Sequence, residues 1–379
     1  MIPIAKPVLE DAEAEAARQV VLSGWVTQGS QVAAFESEFA AYAGSQHACA
    51  VSSCTTALHL ALLAVGVGAG DEVITASHSF IATANSIRYC GAVPIFVDID
   101  PRTYNLDPRY VAEAVTPRTR AILAIHQMGM PCELPALHRV ANRHGIALIE
   151  DAACAAGSEI CIDGRWQPIG RPLGDIACFS FHPRKVITTG DGGMLTTSNA
   201  EFDNAFRLLR QHGMSVPDTV RHGSLRVVFE DYLTIGYNYR LTDIQAAIGR
   251  KQLERLPHLV SRRRTLAASY YELLGNIEGL LLPLEPEWAR SNWQSYCVRL
   301  PDRVDQKTVM QQLLDRGIAA RRGIMCSHRE PCYAEEKSRH DLRQSVLAQD
   351  HAILLPLYTQ MTEEDQVTVA SALPSALLQ

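Results

Sequence analysis

The chain has 379 residues, with 35 Lys and Arg against 41 Asp and Glu, a formal net charge of −6. A hydrophobic fraction of 47% is too high for a disordered chain, and the acidic balance argues against binding to nucleic acid or anionic membranes. At roughly 150 residues per domain, the length predicts two or three domains.

The ten cysteines form no C-x-x-C pair and match no zinc template, so no metal site is expected. Several sit in apolar runs, such as Cys178 among Ile176, Ala177 and Phe179. That placement suits reduced, buried thiols of a cytoplasmic protein. The first residues, Met1-Ile2-Pro3-Ile4-Ala5-Lys6-Pro7, lack the apolar region of a signal peptide. Residues 39–70 carry no Asp, Glu, Lys or Arg, but His47, Ser52, Ser53, Thr55, Thr56 and His59 interrupt them, so no membrane span is expected.

In chain order, Phe35, Phe39 and Tyr42 recur at helical spacing. Apolar runs at 48–52, 72–76, 94–97, 121–125, 146–150, 176–181 and 193–197 read as buried parallel strands. Leu58, Leu62 and Val65, then Leu134, Leu137, Val140 and Ala141, mark helices between them. The alternation predicts an α/β domain: a mostly parallel sheet with helices on both faces. Gly66-Val67-Gly68-Ala69-Gly70 resembles a dinucleotide-binding glycine run, but it follows a helix and precedes a strand, the reverse of that fingerprint. It reads as a turn. After Leu241 the pattern changes. Residues 242–256 and 259–274 read as two helices parted at Pro257, 280–282 and 296–300 as strands, and 304–316 and 363–373 as helices. The expected division is 1–245, an N-terminal segment and large domain, and 246–379, a smaller α+β domain.

Three segments carry chemistry. In Ser180-Phe181-His182-Pro183-Arg184-Lys185, a lysine follows a strand, and the turn Gly190-Asp191-Gly192-Gly193 follows the lysine. Ligands gather at such strand ends, and a lysine amine there can form a Schiff base with a carbonyl; a solvated surface lysine fits the segment equally. In Ile146-Ala147-Leu148-Ile149-Glu150-Asp151-Ala152-Ala153, an apolar strand delivers an acidic pair to its end. A buried carboxylate needs a cation, and the protonated ring nitrogen of pyridoxal phosphate (PLP) is one; a helix-capping role for Asp151 is the alternative. In Val51-Ser52-Ser53-Cys54-Thr55-Thr56-Ala57-Leu58, hydroxyl residues open a helix, which suits a phosphate or simple capping by Ser53 or Thr55. All three fall at strand C-terminal ends of one expected sheet.

These segments, with Ser23-Gly24-Trp25-Val26-Thr27-Gln28-Gly29, Ser79-Phe80-Ile81-Ala82-Thr83-Ala84-Asn85, Val97-Asp98-Ile99 and Gly236-Tyr237-Asn238-Tyr239-Arg240-Leu241, make the chain similar end to end to the DegT/StrS family of PLP-dependent sugar aminotransferases. The resemblance implies the fold type I, aspartate-aminotransferase-like architecture. It also implies Lys185 as the Schiff-base lysine, Asp151 against the pyridine nitrogen and Phe80 stacked on the ring. Cys54, Thr55 and Ser180 fall at the phosphate, and Asn238 reaches the phosphate of a partner subunit in a homodimer. Cys154 stands where relatives carry Gln or His toward the cofactor's phenolic oxygen, and a thiol is a weak donor. Related sugar dehydratases carry histidine in place of the lysine, so Lys185 favours transamination.

The reaction so implied moves an amino group from L-glutamate to a keto sugar of a nucleotide-diphosphate sugar, a 4-keto-6-deoxyhexose. A keto cyclitol or other small ketone is the alternative acceptor. A PLP-binding regulatory protein without turnover is the rival class, but no helix-turn-helix extension accompanies this chain. Thr27, His182, Arg321 and His328 are expected toward the substrate. His182 lines the sugar pocket or packs structurally, and the Arg321-Arg322 pair suits a nucleotide diphosphate.

Overall fold

The computed structural model describes residues 1–216, 221, 224–336 and 338–377. Strands β1 (His47–Val51), β2 (Glu72–Ala76), β3 (Val93–Val97), β4 (Thr119–Ile125) and β5 (Ala147–Asp151) come first. A hairpin of β6 (Glu159–Ile162) and β7 (Arg165–Pro168) follows, then β8 (Ile176–Ser180) and β9 (Gly193–Thr197). Seven of these form one sheet in the order β1-β9-β8-β5-β4-β2-β3. The sheet is mostly parallel, as expected, with helices packed on it. Residues 193–197 are the exception, because β9 runs antiparallel to both β8 and β1. The reason is local. No helix interrupts the loop from β8 to β9, and without a crossover the chain returns antiparallel. Apolar composition carries no information on direction.

Alternate residues of each central strand feed different cores, as the period of two requires. Ala177 and Phe179 pack in the core that holds Phe35 and Phe39, whereas Ile176 and Cys178 join Leu58 and Leu62 on the other face. The Phe39 and Phe179 rings meet edge-on, 5.0 Å between centroids. Each such buried aromatic stabilises by about 1.5–3 kcal/mol. This two-sided cover fixes the sheet, so the strand ends that carry the site have little freedom.

The expected break at Pro257 does not occur. One helix, Asp243–Leu274, runs through it. Interior proline costs about 3 kcal/mol, but Leu253, Leu256, Leu259 and Val260 are buried on both sides of it, and their packing offsets that cost. Position 245 falls in the first turn of this helix, whose start is capped by Thr242 and Gln245. Residues 280–282 also form no strand; only Leu281 makes an isolated bridge, to Arg299. Beyond lie β10 (Ala289–Arg290), β11 (Tyr296–Arg299), β12 (Arg321–Arg322) and β13 (Ala352–Leu355), with helices Gln306–Asp315 and Glu363–Ala376. A three-stranded sheet β11-β13-β12 packs with these helices around Tyr270, Tyr296 and Leu313 in a separate core. The ten cysteines are unpaired. Among the described residues no helix is long and apolar enough to cross a membrane.

Candidate active site

A cavity of about 370 Å³ opens at the C-terminal edge of the sheet, lined from both cores' side by residues of the strand ends and by Gln294, Ser295 and Leu354. Cys54, Thr55, Phe80, Asp151, Cys154, Ser180, His182 and Lys185 all line it. Thr27, Asn238, Arg321 and His328 do not.

Lys185 sits in the loop after β8, its backbone N–H donating to the His182 carbonyl at 2.8 Å. Its amine donates to the Cys154 sulfur at 3.0 Å. Burial by itself lowers the amine, but Cys154, Cys54 and Asp151 outweigh it and hold Lys185 above the ordinary lysine value.

Asp151 ends β5 and is 5% exposed. Burial pushes its carboxyl up, against hydrogen bonds from the Ala153 N–H and the Thr83 hydroxyl, at 3.1 and 2.9 Å. Ser79 bonds to Thr83 at 2.8 Å, so a Ser79–Thr83–Asp151 relay fixes the carboxylate's orientation. Thr83 was not expected to act. Its one signal was its place four residues after Ser79, one helical turn into the helix Ile81–Tyr89.

The helix Cys54–Ala64 begins at Ser53, whose hydroxyl accepts the Thr56 N–H at 3.2 Å while Thr56 returns the bond to the Ser53 N–H. The capping reading of Ser53 is therefore realised. The N–H groups of Cys54 and Thr55 lie in the first turn, where the helix offers no acceptor, and are left for an anion. The Cys54 thiol turns inward to the Cys178 carbonyl at 3.6 Å. A Cβ on Gly193 would lie 2.5 Å from the Ser53 carbonyl carbon, so only glycine lets β9 approach this turn.

His182 accepts the Arg184 N–H on its Nδ1 at 3.2 Å and is exposed at the mouth. Burial, helped by the Lys185 and Arg184 charges and opposed by Asp191, holds its ring below the ordinary histidine value. His328 is pinned away from the cavity, its Nδ1 2.6 Å from the Ser77 hydroxyl. Thr27 is exposed, and its carbonyl accepts the Asp243 N–H at 3.1 Å. Asn238 is exposed between Tyr237 and Tyr239, whose rings stack 4.9 Å apart. Arg321 lies on β12 in a neighbouring groove of about 580 Å³, which shares Phe80, Arg184, Ile324 and Leu354 with the cavity. Gln294 and Ser295 belong to the segment Trp293-Gln294-Ser295-Tyr296, whose resemblance to the family's small-domain segments had pointed toward the substrate cleft; Arg184 had not been given a role, because adjacency to Lys185 gives an arginine no distinguishing signal.

Known proteins resemble the chain along nearly its whole length. The chain is 36% identical over 377 residues to the spore coat polysaccharide biosynthesis protein SpsC of Bacillus subtilis, covering 98% of this chain and 96% of that one. It superposes on the aminotransferase TlmJ of Streptoalloteichus hindustanus with a TM-score of 0.91 at 34% identity, covering 100% and 99% of the two chains. It also superposes on the sugar aminotransferase Spr1654 of Streptococcus pneumoniae, solved in a pyridoxamine phosphate form, with a TM-score of 0.92 at 25% identity and 99% coverage of each; that protein is known in a PLP form as well. A profile of the DegT/DnrJ/EryC1/StrS aminotransferase family matches residues 7–374. With Lys185 and Asp151 facing one cavity on this fold, the chain belongs to that PLP-dependent aminotransferase family.

Proposed function

We propose that the protein transfers the amino group of L-glutamate to a keto sugar carried on a nucleoside diphosphate, a 4-keto-6-deoxyhexose. The observation that carries this reading is the groove beside the Lys185 cavity. It is lined by Arg184, Lys307, Arg321 and Arg322, has no Asp or Glu in its lining among the described residues, and joins the cavity at Phe80 and Arg184. On a chain of net charge −6, such a basic lining suits a diphosphate. SpsC is named for spore coat polysaccharide biosynthesis, and amination of a sugar destined for a surface polysaccharide accords with this reading. The cytoplasm, where nucleotide sugars and reduced thiols coexist, is the compartment we assign.

The cavity's groups fit PLP. An amine is available for its carbonyl carbon, a buried carboxylate for its ring nitrogen, and a helix N-terminus for its phosphate. When bound, PLP supplies an electrophilic carbon and an electron-withdrawing ring. The chain's own residues do the rest. Asp151, oriented by Thr83 and Ala153, keeps a negative charge at the ring nitrogen in a dry setting. The first-turn N–H groups of Cys54 and Thr55, with Ser180, hold the phosphate. Phe80 covers the open face. Lys185 takes the proton from the donor's α-carbon and later delivers one to the acceptor. Cys154 stands against that amine and raises its basicity.

A homodimer completes the site in this account. The segment 225–235 exposes Val227, Phe229, Leu233 and Ile235 close in sequence to Asn238, and a second copy covering that apolar stretch would bring Asn238 to the partner's phosphate.

The test offers L-glutamate and then a panel of keto sugar nucleotides to the holoenzyme, with mass spectrometry of the amine formed. Amination of a nucleotide-linked keto sugar is the expected outcome. Amination of a free keto cyclitol alone, or no turnover with any acceptor, overturns the reading.

A further inference from the structure

Two arginines stand where the cavity meets the basic groove. Arg184 lines both spaces and Arg321 lines the groove. Both are exposed. Among the described residues neither has a carboxylate within ion-pair distance, whereas the adjacent Arg322 reaches Glu330 at 3.7 Å. Both are held on fixed backbone. The Arg184 carbonyl accepts the Gln294 side-chain amide, and Arg321 pairs with Leu354 in the small sheet. Desolvation by the groove walls, and then the like charge of Arg321, hold the Arg184 guanidinium below its ordinary value. Fixed, unneutralised like charges in a concave site call for an anion.

A transaminase working by alternate half-reactions must accept two unlike substrates at one lysine. Resting on the reading above, we propose that Arg184 and Arg321 form a single anion-reading pair used by both: the side-chain carboxylate of the amino donor in one half-reaction, the diphosphate of the acceptor in the other. The reach is compatible. In glutamate the distal carboxyl carbon lies about four bonds from the reacting nitrogen, and in a nucleotide-linked aminohexose the first phosphorus lies about five or six. Guanidinium is the side chain that takes carboxylate and phosphate in the same bidentate geometry. The pair thus selects an acidic donor over a neutral one without a second pocket, and it forces the two substrates to exclude each other.

The test is equilibrium binding to the PLP-loaded enzyme by calorimetry, with glutarate as the amine-free dicarboxylate and UDP and dTDP as diphosphate probes. Saturating glutarate is expected to raise the apparent Kd of the bound diphosphate in proportion to its concentration. Arg184→Gln, shown by its visible absorbance to remain loaded, weakens glutarate and the diphosphate each about tenfold or more, and Arg321→Gln weakens both in the same sense. Independent binding of the two probes, failure of either class to bind, or weakening of only one of them in Arg184→Gln overturns the proposal. Its failure is separable from that of the functional reading: amination of a keto sugar nucleotide without competition sinks only the shared pair, and competition without any sugar amination sinks only the acceptor.

Discussion

The amine of Lys185 lies 3.0 Å from the sulfur of Cys154, and Cys154 is the first of the groups that, against the effect of burial, raise that amine above its ordinary value. A protonated lysine must lose its proton before it can bond to a carbonyl carbon. Cys154→Ala removes the contact, so the pH profile of PLP uptake by the apoenzyme moves toward acid. Uptake rates from about pH 6 to 10, followed by absorbance, measure this. A profile that stays in place or moves toward alkali contradicts it.

Asp151→Asn keeps the shape but loses the charge that faces the ring nitrogen. The glutamate half-reaction then slows by about 100-fold or more, read in single turnovers. An unchanged rate would reduce Asp151 to a structural role. Thr83→Val leaves the carboxylate with one fewer donor, and a bond to a charged group accounts for about tenfold in rate. Because that bond lowers the Asp151 value, its loss raises it. The acid limb of the pH–rate profile therefore moves to higher pH, a shift that a merely structural threonine would not cause.

Much of this was legible in the sequence because burial and strand ends leave a local record. The apolar runs at 48–52, 146–150 and 176–181 announce β1, β5 and β8, each to within a residue at its C-terminal end, and residues at or just beyond those ends line the cavity. What escaped depends on distance in the chain. The direction of β9 follows from the absence of a crossover, which no residue of 193–197 records. The continuity of Asp243–Leu274 through Pro257 rests on tertiary packing. The partnership of Thr83 with Asp151 spans 68 residues, and Arg184 and Arg321, which line one groove, are as distant in the chain as a strand-end loop and a later small sheet. His328 shows the converse, a plausible substrate residue whose ring is already committed to Ser77.

His78 is 1% exposed, with no hydrogen-bond partner for either ring nitrogen among the described residues, and burial pushes it down to about 3. The unfolded chain takes up this proton near 6.5, the folded chain only near 3. Its contribution is therefore complete above pH 6.5 and is lost as the pH falls through that window, by up to about 1.4 kcal/mol per unit. His78→Asn flattens the pH dependence of urea unfolding below pH 6.5 relative to the native chain. Parallel curves for the two proteins contradict this.

Asn238 tests the shared site. Asn238→Asp places a negative charge where a phosphate is expected and abolishes turnover. Mixed with Lys185→Ala under conditions of subunit exchange, half of the dimers are mixed, and in those one pocket carries both defects and the other neither. About one quarter of all pockets then regain activity. If Asn238 serves its own chain, every pocket keeps a defect and no activity returns.

The account as a whole stands on nitrogen passing through Lys185 from the amino donor to a nucleotide-linked keto sugar. L-glutamate labelled with nitrogen-15 and supplied with the accepted keto sugar nucleotide follows that atom directly by mass spectrometry. The native enzyme is predicted to give an amino sugar nucleotide carrying the heavy nitrogen, and Lys185→Ala none. Unlabelled amine from the native enzyme, or labelled amine from Lys185→Ala at a comparable rate, would contradict it.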